Sequence, residues 1–261
     1  MSTYHAYEVS GQREFDLVER ELVSPAAGQV RLRVLSCGVC HTDAISVEGM
    51  RPNPAEPVVP GHEIVGVIDA LGDGVTQWAV GQRVGVGYLG GPCGVCHWCR
   101  LGDFVNCENQ PFTGQTVDGG YAEVVYARAS GLVRIPDALG SMDASPLLCA
   151  GITTYNPLRA LDADAGALVA VQGIGGLGHL GIQYAKKLDY RVAAIARGAE
   201  KEPLATKLGA DHYIDSSAVD PAHALQELGG AVAIIATASR RAISSSSSAL
   251  ATTRSRLTAS P

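Results

Sequence analysis

Two patterns of apolar and polar positions follow one another along the chain. Between about residues 30 and 135, short runs rich in β-branched residues alternate with glycine and proline, as in VRLRVL, IVGVIDAL, RVGVGYL and YAEVVYA. Such runs, bounded by turn residues, predict an antiparallel β domain of Greek-key type. From residue 167 the pattern becomes strand, turn and helix, repeated through ALVAVQ, HLGIQYAKKL, RVAAIA, KEPLATKL, HYI, AHALQEL and AVAIIAT. This alternation predicts a parallel sheet with right-handed crossovers.

The two patterns divide the chain into a first domain over residues 1–150 and a second over residues 151–237. The stretch 238–261 follows neither pattern, because it holds the run Ser244 to Ser248 and four arginines but no acidic residue. Such a composition predicts a disordered tail. Its abrupt start after an apolar strand indicates a truncated or altered C-terminus.

Composition excludes several classes of function. The 261 residues carry 20 Lys and Arg against 26 Asp and Glu, a net charge of -6, which argues against a phosphate-binding surface for nucleic acid. The longest apolar run, Ala231 to Ala236, is far shorter than the roughly 18 residues of a membrane span. The N-terminus MSTYHAYEVSGQREF lacks the apolar core of a secretory signal, so we expect a cytoplasmic protein that contacts neither nucleic acid nor membrane.

Four of the seven cysteines lie in one short segment, at Cys93, Cys96, Cys99 and Cys107. The spacing C-x-x-C-x-x-C lets successive thiolates turn inward onto one tetrahedral ion. Four thiolates leave no open coordination position, so this spacing predicts a structural zinc site rather than a catalytic one.

A second, open metal site is predicted from three separate segments. Cys40 lies in CGVCHTD, His62 and Glu63 lie in PGHE, and Cys149 lies in LLCAG. Each is weak alone, since a lone cysteine is more often a small core residue and a lone histidine is more often structural. Together they supply two thiolates and one imidazole, with a fourth position for water, an alcohol or Glu63, which is the ligand count of a catalytic zinc.

The segment GIGGLG is a G-x-G-x-x-G turn between an apolar strand and a helix. It comprises Gly173, Gly175, Gly176, Leu177 and Gly178 around Ile174. The first glycine permits the tight turn, the second lets the backbone approach a pyrophosphate, and the third allows close packing, so the turn predicts a dinucleotide site.

The end of the following strand predicts which dinucleotide binds. An acidic residue there pairs with the ribose hydroxyls of NAD, whereas a small residue beside an arginine admits a 2′-phosphate. Here Ala196 is followed by Arg197, with Lys201 nearby as a second cation. NADP is therefore favoured over NAD, although Arg197 as an ordinary solvated side chain remains the alternative.

Six motifs, in this order, resemble the zinc-dependent alcohol dehydrogenases of the medium-chain dehydrogenase family. They are GVCHTD, VPGHEIVGV, the four-cysteine segment, DGGYAE, CAGITTY and GIGGLG, and the resemblance covers about residues 8–237. It implies a GroES-like antiparallel β domain and an incomplete Rossmann-type, doubly wound parallel sheet. It also implies two Zn²⁺ ions per chain and reversible oxidation of a primary alcohol to an aldehyde, with hydride transfer to NAD(P).

The resemblance also implies roles for residues around the catalytic zinc. Cys40, His62 and Cys149 would be its ligands, Glu63 a mobile carboxylate near the metal, and Asp43 the acceptor that holds the ring of His62. The four clustered cysteines would bind the structural zinc.

Further roles concern the substrate and the cofactor. Thr42 would hydrogen-bond the substrate hydroxyl, His41 would approach the cofactor pyrophosphate, Thr153 would pack against the nicotinamide, and Tyr88 would line the alcohol pocket. Many relatives carry a histidine where this chain has Ile45, so the substrate proton must leave through Thr42 and water or cofactor hydroxyls.

Two alternatives stay open. The family continues with two further strands, a loop that completes the nicotinamide site and the usual subunit interface, so the chain is either an active enzyme or a catalytically silent zinc-binding remnant. For the same reason the homo-oligomer that is usual in the family is doubtful here. A zinc-ribbon module for nucleic acid would explain only the four clustered cysteines.

Overall fold

The computed structural model describes residues 2–51, 53 and 55–237, and it divides after Cys149 into two compact units. The predicted tail lies outside the described residues. Within the described part, no helix has the length and apolar character required to cross a membrane.

Within the residues that the structure describes, seven strands form the sheets of the first unit. They are β1 Thr3–Gly11, β2 Glu14–Glu21, β3 Gln29–Gly38, β4 Glu63–Leu71, β5 Arg83–Val86, β6 Val124–Arg128 and β7 Leu132–Arg134. Strands β1 and β2 form a hairpin, and the other five pair antiparallel in the order β6-β3-β4-β5-β7. The hairpin was not predicted, because most of the β2 side chains are exposed and its sequence shows no buried face.

Short helices join these strands. They are α1 Asp43–Val47, α2 His97–Arg100 and α3 Ser141–Ala144, with 3-10 helices at Phe104–Asn106, Ala129–Gly131 and Ser145–Leu148. The predicted apolar runs of the five-stranded sheet enclose the core of this unit, where Leu32, Ile64 and Ile68 are fully buried. Because this core fixes β3 and β4, it also fixes the segments directly after β3 and directly before β4.

The second unit alternates helices and strands as predicted. Its elements are α4 Ala150–Arg159, β8 Leu168–Gln172, α5 Gly176–Lys187, β9 Arg191–Ala196, α6 Glu202–Leu208, β10 His212–Asp215, α7 Pro221–Glu227 and β11 Ala233–Ala236. The described strands pair parallel in the order β10-β9-β8-β11.

Both faces of the parallel sheet are covered, which explains why its strands are almost wholly apolar. Val169 and Val171 of β8 pack on one face with Ile182 of α5, whereas Leu168 packs on the other face with Leu225 of α7. The structure therefore confirms the predicted combination of an antiparallel β domain and a doubly wound parallel sheet.

One exposed ion pair in this unit affects its stability. Asp211 accepts hydrogen bonds from Lys186 Nζ at 2.6 Å and from the Val192 amide at 2.8 Å. Partial burial raises the pKa of the Asp211 carboxyl, but these two donors outweigh burial and hold it below its usual value.

Candidate functional site

Four side chains of the first unit converge to form what we call the open cluster: Cys40, His62, Glu63 and Cys149. Their possible ligand atoms all lie within 4.8 Å of one another. Cys40 Sγ is 3.7 Å from Cys149 Sγ, and His62 Nε2 is 3.3 Å from Cys149 Sγ. Cys40 comes two residues after β3, His62 lies directly before β4, and Cys149 follows the 3-10 helix Ser145–Leu148. Residues that are distant in the sequence are thus brought together by the ends of packed elements.

The orientation of His62 is set by Asp43, the first residue of α1. The His62 Nδ1–H donates to Asp43 Oδ1 at 2.9 Å, and both side chains are buried. The other carboxylate oxygen, Oδ2, accepts from the Cys40 amide at 2.9 Å and from the Tyr121 hydroxyl at 2.8 Å. With Nδ1 held in this way, Nε2 faces the two thiols, which is the arrangement usual for a metal-binding imidazole.

The electrostatics of the open cluster favour a cation. The hydrogen bond from Cys149 is the main reason why the pKa of Cys40 falls to about 3, despite burial, and the same interaction raises the pKa of Cys149. Burial lowers the pKa of His62, but hydrogen bonds to Asp43 and Cys40 outweigh it and raise that pKa to about 9. Two sulfurs and one imidazole nitrogen at these separations fit Zn²⁺ with one open position.

Glu63 supplies a carboxylate beside these donors. Its side chain is buried, and burial together with the negative charge of Cys40 raises its pKa to about 7. A Cβ on residue 38 would overlap with Glu63 Oε2, so Gly38 leaves room for the carboxylate. Glu63 can therefore be charged or neutral near neutral pH.

Tyr88 packs beside the open cluster. Its ring meets the His62 ring edge-on, with centroids 5.5 Å apart, and lies 5.2 Å from the Phe112 ring. Its hydroxyl donates to Gln115 Oε1 at 2.8 Å. Burial raises the pKa of Tyr88, so the phenol stays neutral at physiological pH.

The two residues that follow Cys40 differ in exposure. Thr42 is half-buried, and its hydroxyl and backbone amide help to lower the pKa of the Cys40 thiol. His41 is exposed. Thr42 is therefore the less exposed of the two residues beside the Cys40 sulfur.

The four clustered cysteines form a separate group, which we call the cysteine lobe. The sulfur atoms of Cys93, Cys96, Cys99 and Cys107 lie within 4.8 Å of one another, a spacing that fits one tetrahedral Zn²⁺. Arg128 donates to the carbonyls of Gly91 and Asn109, and Ser130 donates to the Pro92 carbonyl. These bonds tie both ends of the cysteine lobe to the segment around the end of β6.

The thiols of the cysteine lobe differ in acidity. Backbone amides near Cys93 lower its pKa to about 6, whereas burial among the other sulfurs raises the pKa of Cys99 to about 12. The Cys93 thiolate is therefore already present at neutral pH, whereas a bound cation would be needed to deprotonate Cys99.

In the second unit, the glycine turn follows β8 and leads into α5. Gly173 has a φ of 92°, which only glycine adopts readily, and a Cβ on Gly178 would overlap with the Gly173 carbonyl oxygen. Apart from the adjoining backbone, no atom of the described residues lies within 4 Å of the Cβ positions of Gly175 and Gly176, so the backbone is open to a ligand there. Lys201 Nζ donates to the Ile174 carbonyl at 3.1 Å, which links the turn to the start of α6.

The end of β9 is held by the neighbouring strand β10. Asp215 Oδ1 accepts from the Gly198 amide at 2.7 Å, and the Tyr213 hydroxyl donates to the Gly198 carbonyl at 2.5 Å. Ala196 is half-buried and Arg197 is exposed. Thr153 lies in α4 and is half-buried.

Sequence reasoning did not single out Gln115, Tyr121 or Asp215, each of which holds a predicted site residue or its loop. Tyr121 belongs to DGGYAE, a motif that was noticed without a role. Asp215 ends an apolar strand at the edge where a ligand is expected, which was a usable signal. Gln115 carries no such signal, because its partner Tyr88 is 27 positions away.

Comparison with known proteins identifies the family. The family described as "Alcohol dehydrogenase GroES-like domain" matches residues 26–137, and that described as "Zinc-binding dehydrogenase" matches residues 176–258. Among curated proteins, alcohol dehydrogenase patD of Aspergillus clavatus is 47% identical over 222 residues, which are 85% of this chain and 57% of the relative. An alcohol dehydrogenase of Geobacillus stearothermophilus is 46% identical over 217 residues, 82% of this chain and 64% of the relative. The chain thus spans less than two thirds of the length of these relatives.

A solved structure gives the same assignment. The cinnamyl alcohol dehydrogenase SbCAD4 of Sorghum bicolor superposes with a TM-score of 0.78 at 33% identity, covering 91% of this chain and 70% of that one. The resemblance stated from the motifs is confirmed by these matches, which include both domains. The chain belongs to the zinc-dependent alcohol dehydrogenases of the medium-chain dehydrogenase family.

Proposed function

We propose that this chain oxidises a primary alcohol to the aldehyde, reversibly, with hydride transfer to NADP in preference to NAD. The observation that carries the proposal is the open cluster, in which two thiols, one oriented imidazole and one carboxylate face a common point. Two thiols and one imidazole as protein ligands, with one open position, are typical of a catalytic zinc rather than a structural one.

The residues of the open cluster would have distinct tasks. Cys40, His62 and Cys149 would hold Zn²⁺, and Asp43 would keep His62 in the tautomer that presents Nε2. Bound zinc would polarise the alcohol oxygen and lower the pKa of its proton, and the nicotinamide would accept the hydride. Glu63 would occupy the fourth position during ligand exchange, a task that its raised pKa of about 7 makes dependent on pH.

The substrate proton would leave through Thr42. Its hydroxyl is the polar group next to Cys40, where it helps to lower the pKa of that thiol, and it can accept a hydrogen bond from the substrate. Ile45 offers no titratable group one turn further on, so water or cofactor hydroxyls would carry the proton onward. Tyr88, packed against His62, would form the apolar wall that excludes water from the reacting carbon.

For the cofactor, the amides at the start of α5 would face the pyrophosphate, next to the open Cβ positions of Gly175 and Gly176. Lys201 already donates to the Ile174 carbonyl. Arg197 is therefore the exposed cation best suited to a 2′-phosphate beside Ala196, which supports NADP. His41 and Thr153 would contribute at the pyrophosphate and the nicotinamide.

The test is the initial rate of reduced-cofactor formation by the full chain with a short primary alcohol, zinc, and either NADP or NAD. Turnover with NADP preferred supports the proposal, and Arg197→Ser should then remove most of the preference. A chain that carries two zinc ions but turns over neither cofactor would favour the alternative, a zinc-binding protein without catalysis. Zinc content, measured in parallel, separates that outcome from simple loss of the metal.

A further inference from the structure

Gln115 is a buried polar residue that the proposed mechanism does not use. The residue is 8% exposed, and its backbone amide donates to the Phe112 carbonyl at 3.0 Å. Its Oε1 accepts from Tyr88, but its Nε2 has no hydrogen-bond partner within residues 2–51, 53 and 55–237. An apolar side chain of the same length would avoid this unpaired buried donor. The residue is therefore poorly explained by packing alone.

The loop that carries Gln115, residues 112–117, is fixed to the elements that build the open cluster. Ser46 Oγ, in α1, donates to the Gly114 carbonyl at 2.6 Å. The Thr113 amide donates to the Tyr88 carbonyl at 2.9 Å, and Thr113 Oγ1 donates to the Gly87 carbonyl at 2.9 Å. The backbone of this loop is thus held rigidly beside the segment that contains Tyr88. A side chain on such a loop can hold Tyr88 in one place.

The Tyr88 ring is then fixed on three sides. It packs edge-to-face with the His62 ring, it lies tilted against the Phe112 ring, and its hydroxyl is bound by Gln115. Each ring contact contributes only about 0.5–1.5 kcal/mol, so the two contacts alone hold the ring weakly. The hydrogen bond to Gln115 is directional and restricts the remaining movement of the Tyr88 ring.

We infer that Gln115 is a positioning residue that locks the Tyr88 ring against His62 and thereby sets the width of the alcohol pocket. The inference rests on the proposed function in one respect, namely that Tyr88 lines that pocket. Gln115 itself touches neither substrate nor metal in this account and acts only through the Tyr88 hydroxyl.

The experiment is a double-mutant cycle on the full chain loaded with Co²⁺, whose visible spectrum reports ligand binding without turnover. The variants are Gln115→Met, which keeps length and removes the acceptor, Tyr88→Phe, which removes the donor, and the double variant. The measured quantity is the Kd of trifluoroethanol, an unreactive primary alcohol. We expect Gln115→Met to weaken binding about fivefold in the parent and to have almost no effect when Tyr88 is already phenylalanine.

Thr116→Val is the matched control. Thr116 Oγ1 accepts from the Phe112 amide at 2.9 Å, so this variant weakens the same loop and leaves the hydrogen bond from Tyr88 to Gln115 in place. Its Tm should fall while the Kd of trifluoroethanol stays at the parent value. Weakening by Thr116→Val equal to that by Gln115→Met would show a general loosening of the loop and would overturn the inference.

Other outcomes are also decisive. An unchanged Kd in Gln115→Met, or effects of the two substitutions that simply add, would overturn the role of Gln115. In another outcome, the unsubstituted chain shows no turnover while the cobalt protein still shows non-additive effects of Gln115→Met and Tyr88→Phe. That result would contradict the proposed catalysis and support the positioning role. A parent cobalt protein that binds no trifluoroethanol would contradict both.

Discussion

Replacement of Asp43 by asparagine should weaken zinc at the open cluster and leave the cysteine lobe unchanged. The carboxylate accepts three hydrogen bonds, from His62 Nδ1 at 2.9 Å, the Cys40 amide at 2.9 Å and the Tyr121 hydroxyl at 2.8 Å. An asparagine has one acceptor oxygen, so either its NH₂ group faces the Nδ1–H of His62 or the other two donors lose their acceptor. A charge-assisted hydrogen bond contributes about 2 kcal/mol, which corresponds to a zinc affinity about 30-fold weaker.

The loss of zinc affinity in Asp43→Asn should depend on pH, in a direction that follows from the pKa of His62. In the metal-free protein, burial lowers the pKa of His62, but Asp43 and Cys40 raise it to about 9, so zinc must displace a proton at neutral pH. Asp43→Asn removes part of this rise, which makes the proton easier to displace and offsets part of the lost affinity. The difference between variant and parent should therefore be largest above the pKa of His62 and smaller at neutral pH.

Competition with a chromophoric zinc chelator, at neutral pH and above the pKa of His62, measures both effects. Asp118→Asn is the matched control, since Asp118 accepts from the Val59 amide at 2.9 Å and pairs with Arg20 without contacting His62. The cysteine lobe serves as an internal reference. Equal zinc affinity in Asp43→Asn and parent at both pH values would refute the argument. A loss of zinc affinity of the same size at both pH values would also refute it.

Three further predictions concern other parts of the molecule. Gly178→Ala places a Cβ onto the Gly173 carbonyl and should weaken NADP binding by about tenfold or more, whereas Gly181→Ala, with its nearest atom 3.6 Å away, should bind like the parent in a fluorescence titration. Cys107→Ser should reduce zinc from two ions to one per chain by elemental analysis and lower the Tm, and two retained ions would exclude the cysteine lobe as a site. Asp211→Asn should reduce the free energy of unfolding by about 1 kcal/mol above the usual carboxyl pKa. In urea unfolding this difference should vanish as pH falls through the lowered pKa of Asp211, and a difference constant with pH would contradict it.

The sequence allowed most of the fold to be predicted where burial imposes a strict pattern. Strands β8 and β9 are buried on both faces and therefore read as unbroken apolar runs, and the turn between β8 and α5 requires glycine for steric reasons. By contrast, β2 is exposed along nearly its whole length, so no periodicity marked the hairpin. Prediction succeeded where packing restricts the choice of residue and failed where solvent permits many.

For the candidate site, the residue types indicated the metal ligands, but the sequence did not indicate which residues hydrogen-bond to one another. Thiols and an imidazole are rare enough that Cys40, His62 and Cys149 could be proposed together from their local motifs. The bonds from Gln115 to Tyr88 and from Asp215 to the Gly198 amide could not be proposed, because an amide or a carboxylate accepts from many donors. Only the three-dimensional positions select one partner among them.

The open cluster and the cysteine lobe differ greatly in the number of residues between their first and last cysteines. Cys93 and Cys107 are 14 positions apart, whereas Cys40 and Cys149 are 109 apart, and the longer closure costs about 2 kcal/mol more in chain entropy. Cys149 is also the last residue of the first unit. During synthesis on the ribosome, the four cysteines of the cysteine lobe are therefore all available while the unit is still growing. The open cluster must wait until the whole unit has emerged, so the cysteine lobe is complete before the open cluster.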